Sequence, residues 1–315
     1  MPLSGGGTRG DHVMHISRFP EMITIFAMPK AFRGHIDVIQ RNAIKSWTRL
    51  SIKPEIILLG TDEGSAEVAR EFGLRHIPEV ARNAEGTPLV NDLFAQAQRY
   101  AANNFLCYVN ADIILLDDFS AAVEKITRLH SPLLMVGQRT DLDITQPIDF
   151  SNSDWERRLR EEARASGVPR PYTFIDYFAF SKGLYADLLP LALGRGGWDN
   201  WLIWRARSRK ATVIDVSSAV LAVHQNHDYS HHPDGSKGVW NGPEAQRNRE
   251  LIGLWYHKHT IEDASHHLTP HGLKRSYRHA WLVLKRAWSH PRGVVLLALE
   301  MLSRAFRRTS RTSPS

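Results

Sequence analysis

The stretch Phe105-Leu106-Cys107-Tyr108-Val109-Asn110-Ala111-Asp112 decides the fold. Its first five residues are apolar without interruption, which reads as a strand buried on both faces. The run ends in Asn110-Ala111-Asp112. A second short apolar run, Ile113 to Leu116, follows before Asp117-Asp118. A buried strand that delivers a carboxylate at its C-terminal end puts that carboxylate at the sheet edge, where open α/β sheets take ligands.

Upstream, strand and helix signals alternate. Met22–Ala27 is a short β-branched run that Pro29 ends. Ile36, Ile39, Ala43, Ile44 and Trp47 fall on one helical face between Ile36 and Leu50. Glu55–Leu59 reads as a second strand. Asp62 or Ser65 is placed to cap a helix over Ala66–Phe72, with Gly73 as its stop. Leu74–Ile77 is a third strand, and Pro88 opens a helix over Leu89–Ala102.

Downstream, a helix over Phe119–Leu129, with Asp117 and Asp118 as its capping residues, precedes a strand at Leu133–Val136. Asp141–Pro171 is polar and reads as an insertion with a charged helix near Trp155–Ala165. Tyr172–Ser181 returns as a strand. Gly194–Asn200 is a Gly-rich loop before a helix at Trp201–Arg207, then a strand at Thr212–Val216. Ala219–Val223 leads into His224. The alternation predicts an α/β fold with an open, mostly parallel sheet and flanking helices.

The 315 residues, 43% of them hydrophobic, suffice for a full core. The single cysteine, Cys107, excludes a disulfide framework and lies in the strand as a small hydrophobe. The first twenty residues have no apolar h-region, and Val294–Leu302 is broken by Glu300, so neither a signal peptide nor a membrane span is expected. Gly5–Gly10 has a phosphate-loop composition with no strand before it, and residues 1–20 read as a flexible leader. The body is expected over 21–255 and a basic helical tail over 256–315. From Leu273 onward there are ten Lys/Arg and one acid, so that segment carries +9 of a total +7 and the rest sums to −2.

The region Glu55–Gly73, the segment Asn83–Asp92, Asn110-Ala111-Asp112, and Tyr177–Lys182 followed by Gly194–Asp199 together resemble GT-A nucleotide-sugar glycosyltransferases of the family 2 type, over residues 22 to 230. Order and spacing carry the resemblance. It implies transfer of a sugar from a nucleoside diphosphate sugar to a hydroxyl of a glycan or lipid-linked acceptor, with Mn²⁺ or Mg²⁺, in envelope glycan or glycolipid synthesis. Asp112 then stands as a metal ligand, and Asn110 stands where the family has its first Asp. A late His completes the metal site, for which His224 and then His227 match. Asp62 and Asn91 are expected near the donor and Asp176 near the substrate. Trp198 is expected to stack on a sugar, and Asp199 to deprotonate the acceptor in an inverting reaction. Asp199 also suits a helix cap. The second Asp-x-Asp, Asp141-Leu142-Asp143, comes late for the metal motif and is expected to line the cleft.

Four histidines, His224, His227, His231 and His232, lie close to Asp228. This cluster also suits a metal-dependent phosphohydrolase. A non-catalytic sugar-nucleotide module is a third possibility, because Asn110 departs from the pattern. In the tail, Tyr277, Trp281, Leu284 and Trp288 share a helical face among basic residues, and Val295, Leu299, Leu302 and Phe306 form a second stripe. Residues 273–308 are therefore expected to meet an anionic membrane surface or pack on protein. No nucleic-acid fold is recognised. A cytoplasmic location, peripheral on the inner face of the membrane, is the corresponding expectation.

Overall fold

The computed structural model describes residues 23–129, 132–227, 235–253 and 257–288. The expected leader, Asp228, His231, His232, the 255/256 boundary and the stripe from Val295 to Phe306 lie outside the described residues. The first half of the chain runs β1 (Ile23–Ala27), α1 (Gly34–Arg49), β2 (Glu55–Leu59), α2 (Ser65–Phe72), β3 (Arg75–Ile77), α3 (Val90–Tyr100), β4 (Phe105–Val109), β5 (Ile113–Leu115) and α4 (Asp117–Ile126). It continues as β6 (Leu133–Val136), β7 (Arg139–Leu142), α5 (Trp155–Ser166), β8 (Val168–Pro169), β9 (Tyr177–Ser181), α6 (Trp198–Ser208), β10 (Thr212–Asp215) and β11 (Ala222–Gln225). Last come α7 (Gly235–Asn241), α8 (Pro243–Ile252), β12 (His266–Thr269), β13 (Gly272–Arg275) and α9 (Arg278–Trp288).

The main sheet has nine strands in the order β13-β12-β10-β6-β9-β4-β1-β2-β3. β3, β2, β1 and β4 run parallel, as do β6, β10 and β12. β9 is antiparallel between β4 and β6, and β13 closes the edge antiparallel to β12. This is the open, mostly parallel sheet expected from the alternation. The sheet continues past residue 255, however. The segment expected to be a helical tail first adds two strands, whose short polar sequences carry little strand signal.

Alternation along each strand divides the core. Ile23, Ile25 and Ala27 of β1 and Phe105, Cys107 and Val109 of β4 pack with Ala43, Ile44 and Trp47 of α1 and Phe119 of α4. Phe26, Leu106 and Tyr108 point the other way, against Leu93 and Phe94 of α3 and Trp201 and Leu202 of α6. Phe94 stacks on Phe180 and Tyr108 and meets Phe26 edge-on, which fixes α3 against the sheet. A smaller four-stranded sheet, β5-β11-β7-β8, sits beside the C-terminal end of β4. None of the described helices is long and apolar enough to cross a membrane.

Candidate functional site

Strand order reverses between β1 and β4: the chain winds outward through β2 and β3, then returns to the other side of β1. Such a switch point opens a crevice beyond the carboxyl ends of the strands. Two segments meet there, Met28-Pro29-Lys30 after β1 and Asn110-Ala111-Asp112 after β4.

The small sheet brings the histidines to this edge. β11 pairs antiparallel with β5, setting His224 opposite Ile113, and parallel with β7, setting His224 opposite Asp141. Gln225 is fully buried and locks the register: its amide donates to the Ile39 carbonyl at 2.7 Å and to the Asp112 carbonyl at 3.1 Å, and its oxygen accepts from Asn42 at 3.0 Å. His224 Nε2 then lies 3.6 Å, and His227 Nε2 3.0 Å, from Asp112 Oδ2. Burial pushes the Asp112 carboxyl up, but His224, His227 and Lys30 outweigh burial and hold it well below the usual carboxylate range.

These three side chains fit a divalent cation. Their ligating atoms all lie within 4.8 Å of one another. The other Asp112 oxygen, Oδ1, is buried without a hydrogen-bond partner. His224 Nδ1 lies 3.2 Å from Asp141 Oδ1, a charge contact that favours the proton on Nδ1 and leaves Nε2 toward Asp112. For His224, burial alone would lower the imidazole pKa; Asp112 and Asp141 outweigh it and raise it. Carboxylates that favour a proton at this place equally favour a metal cation.

A second layer of charge stands behind the cluster. The Arg139 guanidinium bridges Asp141 (2.8 Å) and Asp176 (2.9 Å). Arg170 lies 3.4 Å from the other Asp141 oxygen. Asn110 donates from Nδ2 to Asp176 Oδ1 at 2.6 Å and accepts from the Tyr108 hydroxyl at 2.8 Å. Its orientation is forced, since a carboxylate only accepts and Asp176 therefore faces the amide NH₂. Asn110, expected as a ligand, thus spends its side chain on Tyr108 and Asp176.

Asp199 lies in the first turn of α6. That helix starts at Trp198, earlier than the sequence suggested, because Gly197 takes a left-handed conformation (φ 97°) as its N-cap. Asp199 is therefore an interior first-turn residue and not the cap. It keeps some solvent-accessible surface, but dense packing around it makes desolvation the dominant influence. Burial, with the like charge of Asp176, raises its pKa to about 7 against the weaker opposing pull of Asn200 and Lys258. Burial, and then the negative charges of Asp112, Asp176 and Asp199, raise the Tyr108 hydroxyl pKa, so all three carboxylates act on one phenol.

No protein-family model and no curated protein sequence matches this chain. It is similar to solved glycosyltransferase structures. One is glucosyl-3-phosphoglycerate synthase from Mycobacterium tuberculosis with Mn²⁺, UDP and phosphoglyceric acid: 14% identity, TM-score 0.43, covering 74% of this chain and 79% of that one. Another is the S. aureus TarS 1–349 with UDP-GlcNAc: 12% identity, TM-score 0.47, covering 67% and 60%. A third is the mannosyltransferase PcManGT from Pyrobaculum calidifontis with GDP-Man and Mn²⁺: 14% identity, TM-score 0.44, covering 93% and 80%. These likenesses are too weak to transfer chemistry to this chain.

The remaining expected residues are placed as follows. Asp62 follows β2 and pairs with Arg82 at 2.7 Å. Asn91 sits in the first turn of α3 with its Oδ1 buried and unpartnered. Trp198 is 6% exposed and packs edge-on to Tyr108 and against Phe178. Its ring belongs to the core and offers no face to a sugar. Asp117 accepts from the Ser51 amide, and Asp118 from Arg160 and the Leu221 amide; neither joins the metal cluster. Of the late Asp-x-Asp, Asp141 backs His224, and Asp143 accepts from Asn226 at 2.7 Å. Arg139 escaped the sequence reading. The signal was there: Arg139 and Asp141, two apart in a strand, share one face.

Proposed function

We propose that this chain transfers a sugar from a nucleoside diphosphate sugar to a hydroxyl acceptor with the help of a divalent cation. The observation that carries this reading is one juxtaposition. A three-residue cluster, Asp112, His224 and His227, lies at the sheet's switch point, and Asp199, with a pKa of about 7, is near enough for its charge to act on Tyr108, whose hydroxyl bonds Asn110 of the segment that carries Asp112.

Asp112, His224 and His227 would hold the cation, which when bound neutralises the charge that grows on a diphosphate leaving group. Two imidazoles and a carboxylate suit Mn²⁺ better than Mg²⁺, which prefers oxygen ligands. Asp199 is poised between acid and base near neutral pH, as a residue must be to take a proton from an acceptor hydroxyl. Asp176, clamped by Arg139 and Asn110, keeps the Asp199 proton affinity high by like charge. Lys30 adds positive potential where a diphosphate would lie.

The hydrolase alternative would use the same three residues with water as the acceptor, or a second open His/Asp set. Among the described residues the other such group, His259, Asp263 and His279, is closed by Arg286, which takes both Asp263 oxygens at 2.7 Å. The test is incubation of the protein with nucleoside diphosphate hexoses, Mn²⁺ and candidate acceptors, reading nucleoside diphosphate release and product mass. Release that needs Mn²⁺, forms a glycosylated acceptor and disappears in Asp199→Asn supports transfer. Release of free sugar to water alone would move the assignment to a hydrolase.

A further inference from the structure

At the end of the sheet opposite Asp112, a cleft of about 490 Å³ opens at the start of β10. Arg207, Lys210, His266 and Arg275 line it, with Thr212 and no acidic side chain. Arg207 comes from the last turn of α6 and Lys210 from the turn that follows it, His266 from β12 and Arg275 from β13. Among the described residues no carboxylate lies within ion-pair distance of Arg207, Lys210 or Arg275. The nearby acid, Asp263, is saturated by Arg286, His279 and the Thr260 amide. Arg207 Nε is buried and has no hydrogen-bond partner. Burial, then Arg275, His267 and Arg207, lower the His266 pKa, which reports how crowded the positive charge is. Asp263 partly offsets Arg207 at a distance, but cations in excess of the nearby acids create a local potential for an anion.

The cleft does not stand alone. The Arg275 guanidinium lies over the Tyr277 ring, 5.3 Å from its centroid. Tyr277 is 73% exposed and directly precedes α9, on which Trp281 and Leu284 are 55% and 56% exposed. The spacing of four and seven residues puts all three on one face. Lys285 lies 5.0 Å over Trp281. The other face of α9 is committed to the body, with Leu282 buried and His279 and Arg286 on Asp263. No acidic residue occurs in α9. The outward side therefore presents aromatic and aliphatic groups, flanked by cations and next to a basic cleft.

We propose that this surface binds an anionic phospholipid bilayer, with a headgroup phosphate in the Arg207–Lys210–Arg275 cleft and Tyr277, Trp281 and Leu284 at the acyl boundary. A phosphate monoanion free in solution would satisfy the cleft but has no use for the exposed apolar face. That face decides for lipid. Rings with flanking cations are the pattern of helices that lie in a membrane interface. The cleft occupies the opposite end of the strands from Asp112, so the contact anchors the protein while leaving the switch-point edge open.

The test is co-sedimentation of the full chain with phosphatidylcholine vesicles, with and without phosphatidylglycerol, at low and high salt. Binding is expected only to the anionic vesicles and is expected to weaken with salt. K210E/R275E and, separately, W281A/L284A are each expected to cut partitioning by roughly tenfold or more. All four positions are at the surface, and unchanged melting temperatures confirm folding. R275Q, a milder change, should lie between wild type and K210E/R275E. Saturable binding of inorganic phosphate without vesicle binding would overturn the lipid assignment. So would vesicle binding that both double variants leave intact. Partitioning is read without turnover, so it is independent of whether the sugar-transfer reading holds.

Discussion

The Nδ1 atom of His224 lies 3.2 Å from Oδ1 of Asp141, its direct neighbour across the β7–β11 ladder. Asp141 thereby sets a negative charge beside Nδ1, which favours the proton there and Nε2 as the metal-binding atom. Asp141→Asn removes the charge and keeps the shape. Mn²⁺ affinity, measured by calorimetry, is expected to fall roughly tenfold to a hundredfold, with the fold retained. His224→Ala should abolish tight binding. Equal affinity in wild type and Asp141→Asn would detach Asp141 from any role in the cluster.

Asp199 yields two opposite expectations from one pKa. As a base it works only when deprotonated, so turnover should fall as the pH drops through about 7. Asp199→Asn is expected to lower kcat by about a hundredfold or more while leaving the donor KM near wild type. Stability runs the other way. The folded-state pKa lies above the unfolded one, so the folded state binds the proton more tightly. The penalty of an ionised Asp199 is absent below the ordinary carboxylate range, grows as pH rises, and is complete above about 7. Asp199→Asn should therefore melt higher than wild type at pH 8 and the same at pH 4. A lower melting temperature at pH 8 would show that the carboxylate is stabilising.

The alternating core was legible in the sequence because β1, β2, β4 and β6 are each short, mostly apolar runs. Asp112 was legible for the same reason: it ends such a run. What brings His224 to Asp112 was not. β5, β7 and β11 span only three or four residues each, and their pairing joins segments far apart in the chain. β7 reads Arg-Thr-Asp-Leu, which is too polar to stand out as a strand, and Arg139 was lost with it. Trp198, expected at a sugar by resemblance, is set in the core because the left-handed Gly197 starts the helix at Trp198 itself. The strands β12 and β13 were hidden by histidines and a glycine turn.

Restoring the acidic pattern at Asn110 is expected to harm the protein. Asn110 donates to Asp176 at 2.6 Å, and an aspartate in its place would set two carboxylates at that separation. One of them would have to take a proton or move away from Arg139. Asn110→Asp is expected to cut kcat/KM by roughly tenfold or more and to lower the melting temperature. If Asn110→Asp instead tightens Mn²⁺ binding and raises turnover, position 110 is a metal ligand after all, and its link to Asp176 is incidental.

Asp263 supplies the last test, because it holds α9 to the body. It is fully buried, and Arg286 is its bidentate partner, with His279 at 3.0 Å. Burial pushes its carboxyl up; the hydrogen bonds from His279 and Arg286 outweigh that and hold it well below the usual range. A depressed folded-state pKa means that its stabilisation is present at neutral pH and is lost as pH falls through the acid range. Arg286→Ala leaves a buried carboxylate with less compensation, and a loss of about 3 kcal/mol is expected at pH 7, read by denaturant titration. The loss should shrink toward pH 3, where the unpaired carboxyl can take a proton. The same change should reach the site: residue 259 exchanges two hydrogen bonds with Asn200, next to Asp199 in the first turn of α6. A fall in kcat larger than the loss of folded protein explains would show that α9 docking positions Asp199. Unchanged kcat in the folded fraction would confine Asp263 to stability alone.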